Sequence, residues 1–205
     1  MYVRTLYVTG DPGKIDDACK TLSTKGQKLL SDQPGYRGMS LLADRELGKL
    51  LVGTWWESEK TRQASDKSLA EQRAVLLSPF AQTIAIDNFE AAVVRPPTGQ
   101  LRTGAGCRLS RLECAPSDSD LMVDTFESTT LPTLEHIPGF AGASLFIDRS
   151  AGRAVVTVLY IDHKALAASR SSQAAARGMI TAKAHVTLRS VEEFEVIFTT
   201  MIAPS

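Results

Sequence analysis

The feature that most constrains this chain is a recurrence within it. Residues 34–56, PGYRGMSLLADRELGKLLVGTWW, return at residues 138–160 as PGFAGASLFIDRSAGRAVVTVLY, at a fixed offset of 104 residues and without a gap. Identities fall at Pro34/Pro138, Gly35/Gly139, Gly38/Gly142, Ser40/Ser144, Leu41/Leu145, Asp44/Asp148, Arg45/Arg149, Gly48/Gly152 and Val52/Val156. The same offset pairs Pro12 with Pro116, Ala64 with Ala168, Ser65 with Ser169 and Arg73 with Arg177. A chain of 205 residues divided this way gives two units of about 100 residues, the common domain size. Most matched residues are turn and strand formers. They indicate a duplicated fold and leave open whether an active site is duplicated.

Each half reads as the same series of elements. Residues 2–9 alternate as a strand does and end at Gly10-Asp-Pro-Gly, where Asp11 suits a helix cap and Pro12 the first helical turn. Ile15, Ala18, Cys19, Leu22, Leu29 and Leu30 keep helical spacing up to Pro34-Gly35. Residues 36–44 and 48–56 form a hairpin through Arg45-Glu-Leu-Gly48. Ser58 caps a second helix that runs to about Leu77 and stops at Pro79, and residues 81–94 make a long last strand. The second half repeats the order at 106–114, 118–136, 140–148, 152–160, 163–180 and 184–199. Pro132, standing where the first half has Lys28, is expected to kink or shorten its helix.

The order β-α-β-β-α-β is that of a ferredoxin-like unit, so the fold class is α+β. Residues 1–94 form the first repeat, the Pro- and Gly-rich 95–105 a linker, and 106–205 the second repeat. Such a sheet carries helices on one face only, and the bare face must be covered. Ile84, Ile86, Phe89, Ala91 and Val93, with Val186, Leu188, Val191, Phe194, Val196 and Phe198, would make that face apolar. Packing the two sheets together is therefore expected, giving an intramolecular α+β barrel with helices outside.

Charge excludes some partners. Lys plus Arg and Asp plus Glu both total 23, so nothing draws the chain to nucleic acid or an anionic membrane. Little net charge opposes self-association, leaving a monomeric pseudo-dimer or a homodimer open. Cys107 and Cys114 lie about 23 Å apart along one expected strand, on opposite faces, and cannot pair there. Three cysteines, an odd number, suit free thiols in a cytoplasmic protein. The N-terminus alternates like a strand rather than reading as a signal peptide, and no apolar run is long enough to span a membrane.

The pattern Pro34-Gly35-Tyr36-x-Gly38-x-Ser40 followed by Trp56-Glu57-Ser58 resembles the antibiotic-biosynthesis-monooxygenase-like group of the dimeric α+β barrel superfamily. The resemblance covers nearly all of both halves, although the second half has Tyr160-Ile161-Asp162 in place of Trp-Glu-Ser. It implies sheets paired into a barrel, here within one chain. It also implies functions ranging from cofactor-independent oxidation of polyketide aromatics to haem degradation. The haem-degrading members use a histidine on the second helix and an asparagine on the first strand. Here those positions fall near Arg73 or Arg177 and near Arg4 or Arg108, which makes haem binding or degradation the least favoured of three readings.

Five residues are candidates for a substrate site. Trp55 and Trp56 end a strand on opposite faces, so one of them can stack on an aromatic ligand if it does not simply pack. Arg4 and Arg108 hold equivalent strand positions, where a buried arginine needs either a carboxylate partner or an anionic ligand. Arg73 on the second helix can reach a cavity mouth or lie solvated. His136, His163 and His185 show no metal-ligand spacing, and no metal or other cofactor is expected. Two functions stand ahead of haem chemistry. One is a cofactor-independent monooxygenase acting on a small aromatic or polyketide-like molecule in a pocket between the sheets. The other is a non-catalytic protein that binds a small apolar ligand or is purely structural.

Overall fold

The computed structural model describes residues 1–97, 99, 101 and 104–201. Thr98, Gln100, Arg102 and Thr103 of the expected linker lie outside the described residues. The first series of elements is β1 (Tyr2–Gly10), α1 (Ile15–Thr21), α2 (Gln27–Ser31), β2 (Tyr36–Asp44), β3 (Lys49–Trp56), α3 (Glu59–Leu77) and β4 (Ala81–Arg95). The second is β5 (Gly106–Glu113), α4 (Ser119–Thr125), α5 (Leu131–Glu135), β6 (Phe140–Asp148), β7 (Arg153–Tyr160), α6 (His163–Ala168), α7 (Arg170–Lys183) and β8 (Thr187–Met201).

The eight strands follow one closed hydrogen-bonded order, β1-β3-β2-β8-β5-β7-β6-β4. The chain divides into two compact units. The first is Met1–Asn88 with the end of β8 from Val196, and the second is Phe89–Glu195. The units depart from the repeat boundaries expected at 94 and 106 because β4 and β8 each serve both. The second stretch of β4 pairs with β6, Glu90 opposite Ile147. The first stretch of β8 pairs with β5, Glu193 opposite Arg108.

The recurring residues hold equivalent local structures. Gly35 and Gly139 have φ of 74° and 80°, which only glycine adopts without strain. A Cβ there would lie 2.7 Å from the Thr61 side chain or 2.4 Å from Ala165 Cβ. The turn thus seats closely against the start of the second helix. Ser58 caps α3 in a capping box with Thr61, and Asp162 caps α6 through Ala165 N. Arg45 pairs with Asp16 and Arg149 with Asp120, tying each hairpin to its first helix.

Two expectations need correction. Pro132 does not shorten its helix, since α5 ends at Glu135 just as α2 ends at Ser31, 104 residues earlier. Both halves carry a π turn before that last segment, Leu22–Gly26 and Phe126–Thr130. The register has already shifted there, with Leu131 N–H bonding Phe126 O, so a proline just after it fits without breaking the helix. The apolar face expected on the last strands is buried only in part. Phe89, Val93, Phe194 and Val196 are buried, whereas Ile84, Ile86, Leu188 and Val191 are exposed. β4 and β8 have 15 residues each against eight or nine in the strands beside them, and the first stretches of both are largely exposed.

Candidate functional site in the first unit

β1 and β3 turn alternate residues toward the helices. Leu6, Val8, Leu50 and Val52 join Ile15, Cys19, Leu22 and Leu77 in the first unit's core. Arg4 and Thr54 continue the same faces and end the apolar run with polar groups. A cavity of about 50 Å³ lies at this point, lined by Arg4, Leu6, Leu22, Gly26, Leu29, Leu30, Met39, Val52, Thr54, Leu69, Arg73, Leu76 and Leu77. The wall is apolar except for two arginines and one threonine. The expected pocket lay between two sheets. This one lies instead between one sheet and its own helices, because the inward alternation of β1 and β3 faces α1–α3.

The π turn contributes both Leu22 and Gly26 to the cavity wall. A π turn widens the helix and leaves a gap on its inner side, a device often found at functional sites. Gly26 keeps that gap open because it has no side chain.

Arg4 is 2% exposed. Its Nη1 donates to Ser65 Oγ at 3.1 Å and its Nη2 to the Arg62 carbonyl. Nε is buried without a hydrogen-bond acceptor, and the carboxylate facing it, Asp66 Oδ1, is 3.7 Å away. Asp66 is bound more closely to Arg73, at 2.8 Å. Three of the five guanidinium N–H groups of Arg4 therefore have no hydrogen-bond acceptor among the described residues. Burial lowers the guanidinium pKa to about 10, with Arg73 and Arg62 adding to that fall and Asp66 opposing it. Arg4 remains a cation at neutral pH.

The other candidates divide by unit and by face. Trp56 is fully buried beside the site. Arg4 Cζ lies 5.8 Å from its ring centroid and Tyr36 meets it edge-on at 5.9 Å, while its indole N–H donates to Thr54 Oγ1 at 3.0 Å. It supports Arg4 and Thr54 without lining the cavity. Trp55 is buried on the opposite face of β3. Arg73 lines the cavity and is partly exposed. Arg108 lies in the second unit and makes a closed network there. It donates to Glu193 from Nε and Nη2 at 3.0 and 2.8 Å, to Ser169 and Gln173 from Nη1 at 2.9 and 2.6 Å, and to the Leu166 carbonyl from Nη2 at 2.6 Å. The corresponding space in that unit is about 10 Å³ and is lined by Phe126, Thr130 and Gln173, among others.

The strand and turn motifs did not point to Leu22, Gly26, Leu69 or Asp66. The offset could have done so: it sets Leu22 against Phe126, Gly26 against Thr130, Asp66 against Arg170 and Leu69 against Gln173.

Comparison with known proteins bears on the fold. No protein-family model matches the chain. Among solved structures, a proposed monooxygenase of Fusobacterium nucleatum superposes with a TM-score of 0.73 at 9% identity, covering 98% of this chain and 94% of that one. An anthrone oxidase-like protein gives 0.70 at 13% identity over 99% and 93%. A haem-degrading enzyme of Listeria monocytogenes gives 0.54 at 6% over 95% and 99%. The fold is that of the antibiotic-biosynthesis-monooxygenase-like α+β barrels. In sequence, the chain is similar to two uncharacterised proteins of Mycobacterium tuberculosis. Rv2557 is 26% identical over 170 residues, 83% of this chain and 75% of that protein. Rv2558 is 24% identical over 205 residues, 100% and 86%. Within this monooxygenase-like fold, no histidine lines the cavity of the first unit or the smaller space in the second. His136 Nδ1 lies 2.7 Å from the Pro132 carbonyl, and His185 lies 3.5 Å from Asp118.

Proposed function

We propose that the chain arose by tandem duplication of one βαββαβ unit, and that its first unit is a cofactor-independent monooxygenase site for a small aromatic molecule with an acidic hydroxyl. The observation that carries this reading is Arg4, a buried cation with free donors beside an apolar cavity. Buried arginines are normally fully paired, and a ligand oxyanion would complete this one. Arg4 and Arg73 would lower the pKa of a phenol or enol and hold it as the anion. An electron-rich anion can then react with dioxygen directly. At an activated CH₂, one oxygen atom enters the carbonyl and the other leaves with both hydrogens as water. Names such as anthrone oxidase-like support the same chemistry by fold analogy.

Size narrows the substrate. About 50 Å³ is far below the roughly 300 Å³ of a drug-sized pocket and below the roughly 150 Å³ that holds a benzene ring, so the occupant is at most a short chain or one ring, and a ring requires the lining leucines to move. A second reading, ligand binding without turnover, has its own support. No His, Asp, Glu, Cys or Tyr lines the cavity, so the wall supplies no general base. Oxygen uptake with a panel of single-ring phenols and enolisable ketones separates the two. Uptake that is lost in Arg4→Met establishes the oxygenase. Binding without uptake establishes the second reading, and neither binding nor uptake removes the site altogether.

A further inference from the structure

The two units hold the same arginine in the same way and then differ. Arg4 and Arg108 each bond a serine through Nη1, Ser65 or Ser169, and a helix carbonyl through Nη2, of Arg62 or Leu166. Beyond these anchors, all five donors of Arg108 are used. Glu193 Oε1 takes Nε and the second Nη2 hydrogen, and Gln173 Oε1 takes the second Nη1 hydrogen. Tyr160 also donates to Gln173 Oε1, at 2.8 Å. At the positions 104 residues earlier stand Phe89 and Leu69, which offer no acceptor. The three donors satisfied by Glu193 and Gln173 in the second unit are the three left open on Arg4.

We infer that Glu193 and Gln173 occupy, from within the second unit, the acceptor positions that the first unit leaves to a ligand, so that the chain binds one small apolar carboxylate, in the first unit only. This rests on the oxyanion site proposed above and takes a carboxylate, rather than a phenolate or enolate, as the group that Arg4 binds best. A carboxylate fits because its two oxygens can meet the Nε–Nη2 edge together, the pairing arginine makes best. Asp66 does not fill that edge, being 3.7 Å from Nε and committed to Arg73. The charges fit as well: Arg62 pairs with Glu59 at 3.5 Å and Arg73 with Asp66, which leaves Arg4 as the unbalanced cation. The body of the ligand takes the space that Leu22 and Gly26 leave open and that Phe126 and Thr130 fill in the second unit.

The test is calorimetric titration of the whole chain with hexanoate and benzoate, using hexanol and benzyl alcohol as neutral controls. One carboxylate per chain is expected, with each alcohol at least about tenfold weaker. Leu69→Gln, which imports the acceptor of the second unit, should weaken carboxylate binding at least about tenfold while the thermal midpoint holds or rises. Gln173→Leu should leave affinity and stoichiometry unchanged. Two equal sites, alcohols binding as tightly as carboxylates, unchanged binding in a folded Leu69→Gln, or no carboxylate binding at millimolar concentration would each overturn the inference. Carboxylate binding without oxygen uptake on any substrate would retain it and remove only the oxygenase reading.

Discussion

Replacing each of the paired arginines by methionine should give opposite results. In Arg4 the guanidinium pKa falls well below its ordinary value, to about 10, chiefly through burial. At about 1.4 kcal/mol for each tenfold step, the cation costs the folded state roughly 3 kcal/mol. Against this stand two hydrogen bonds, worth about 1 kcal/mol each; the opposing pull of Asp66 is already contained in the lowered pKa. Arg4→Met should therefore change stability by no more than about 1 kcal/mol. Arg108→Met removes five hydrogen bonds and leaves Glu193 with Arg170 alone. Glu193 is partly exposed and stays paired, so the cost lies in the lost bonds of Arg108: at about 1 kcal/mol each they come to about 3–5 kcal/mol.

Urea unfolding followed by tryptophan fluorescence measures both variants. The sign with pH is fixed as well. A cationic group whose folded pKa lies below its unfolded value carries its full penalty below the folded pKa and sheds it only as pH rises through the interval between the two. For Arg4 that interval begins only at about 10, so the near-neutral result should hold unchanged across mildly acidic and mildly alkaline buffers. If Arg4→Met destabilised the protein as much as Arg108→Met, Arg4 would have to be satisfied within the fold, and the ligand argument would collapse.

Three further outcomes follow from particular contacts. Gly26→Ala should raise stability by about 1 kcal/mol through helix propensity, or about 2–4 °C in Tm. The flexible end of Leu22, 3.3 Å from the added Cβ, can move into the cavity, and ligand affinity should drop in the same sample. Gly152→Ala should cost at least about 2 kcal/mol, because φ is 63° and the new Cβ would sit 2.1 Å from the Cys114 carbonyl oxygen; a thermal midpoint equal to that of the parent would contradict this. Burial pushes the Cys107 thiol up to about 12, so peptide mapping after iodoacetamide treatment should find Cys114 labelled in the native protein and Cys107 only after unfolding.

Much of the fold was legible because turns and caps are local. The strand bounds expected at 36–44 and 48–56 match β2 and β3 to within one residue, since Pro34-Gly35 and Gly48 fix where the chain can turn. The π turns were not legible. Apolar spacing at a period near 3.6 persists through one extra residue, so Leu22 reads as an ordinary core position. The state of Arg4 was not legible either. Its partners Ser65 and Arg62 are 61 and 58 residues away, and the acceptor that distinguishes Arg108 is 85 residues away. Two arginines that look equivalent in sequence differ because of residues brought to them only by folding.

That difference bears on why a single site is the better reading of two similar halves. In the second unit Glu193 is itself held by Arg170 at 2.7 Å and by Arg108, and these bonds lower its carboxyl pKa, Arg170 most of all. A depressed carboxyl pKa contributes stability above the ordinary value and loses it as pH falls through the folded one. The second unit thus gains stability from its arginine over the neutral range. The first unit bears the same buried cation without that gain, and adds a glycine where the other half has Thr130. Two costs placed on one face of one cavity are hard to explain by packing, since a leucine or methionine at position 4 would serve the core better. They are explained if the first unit gives up stability for binding, and the second supplies the stability that the first forgoes.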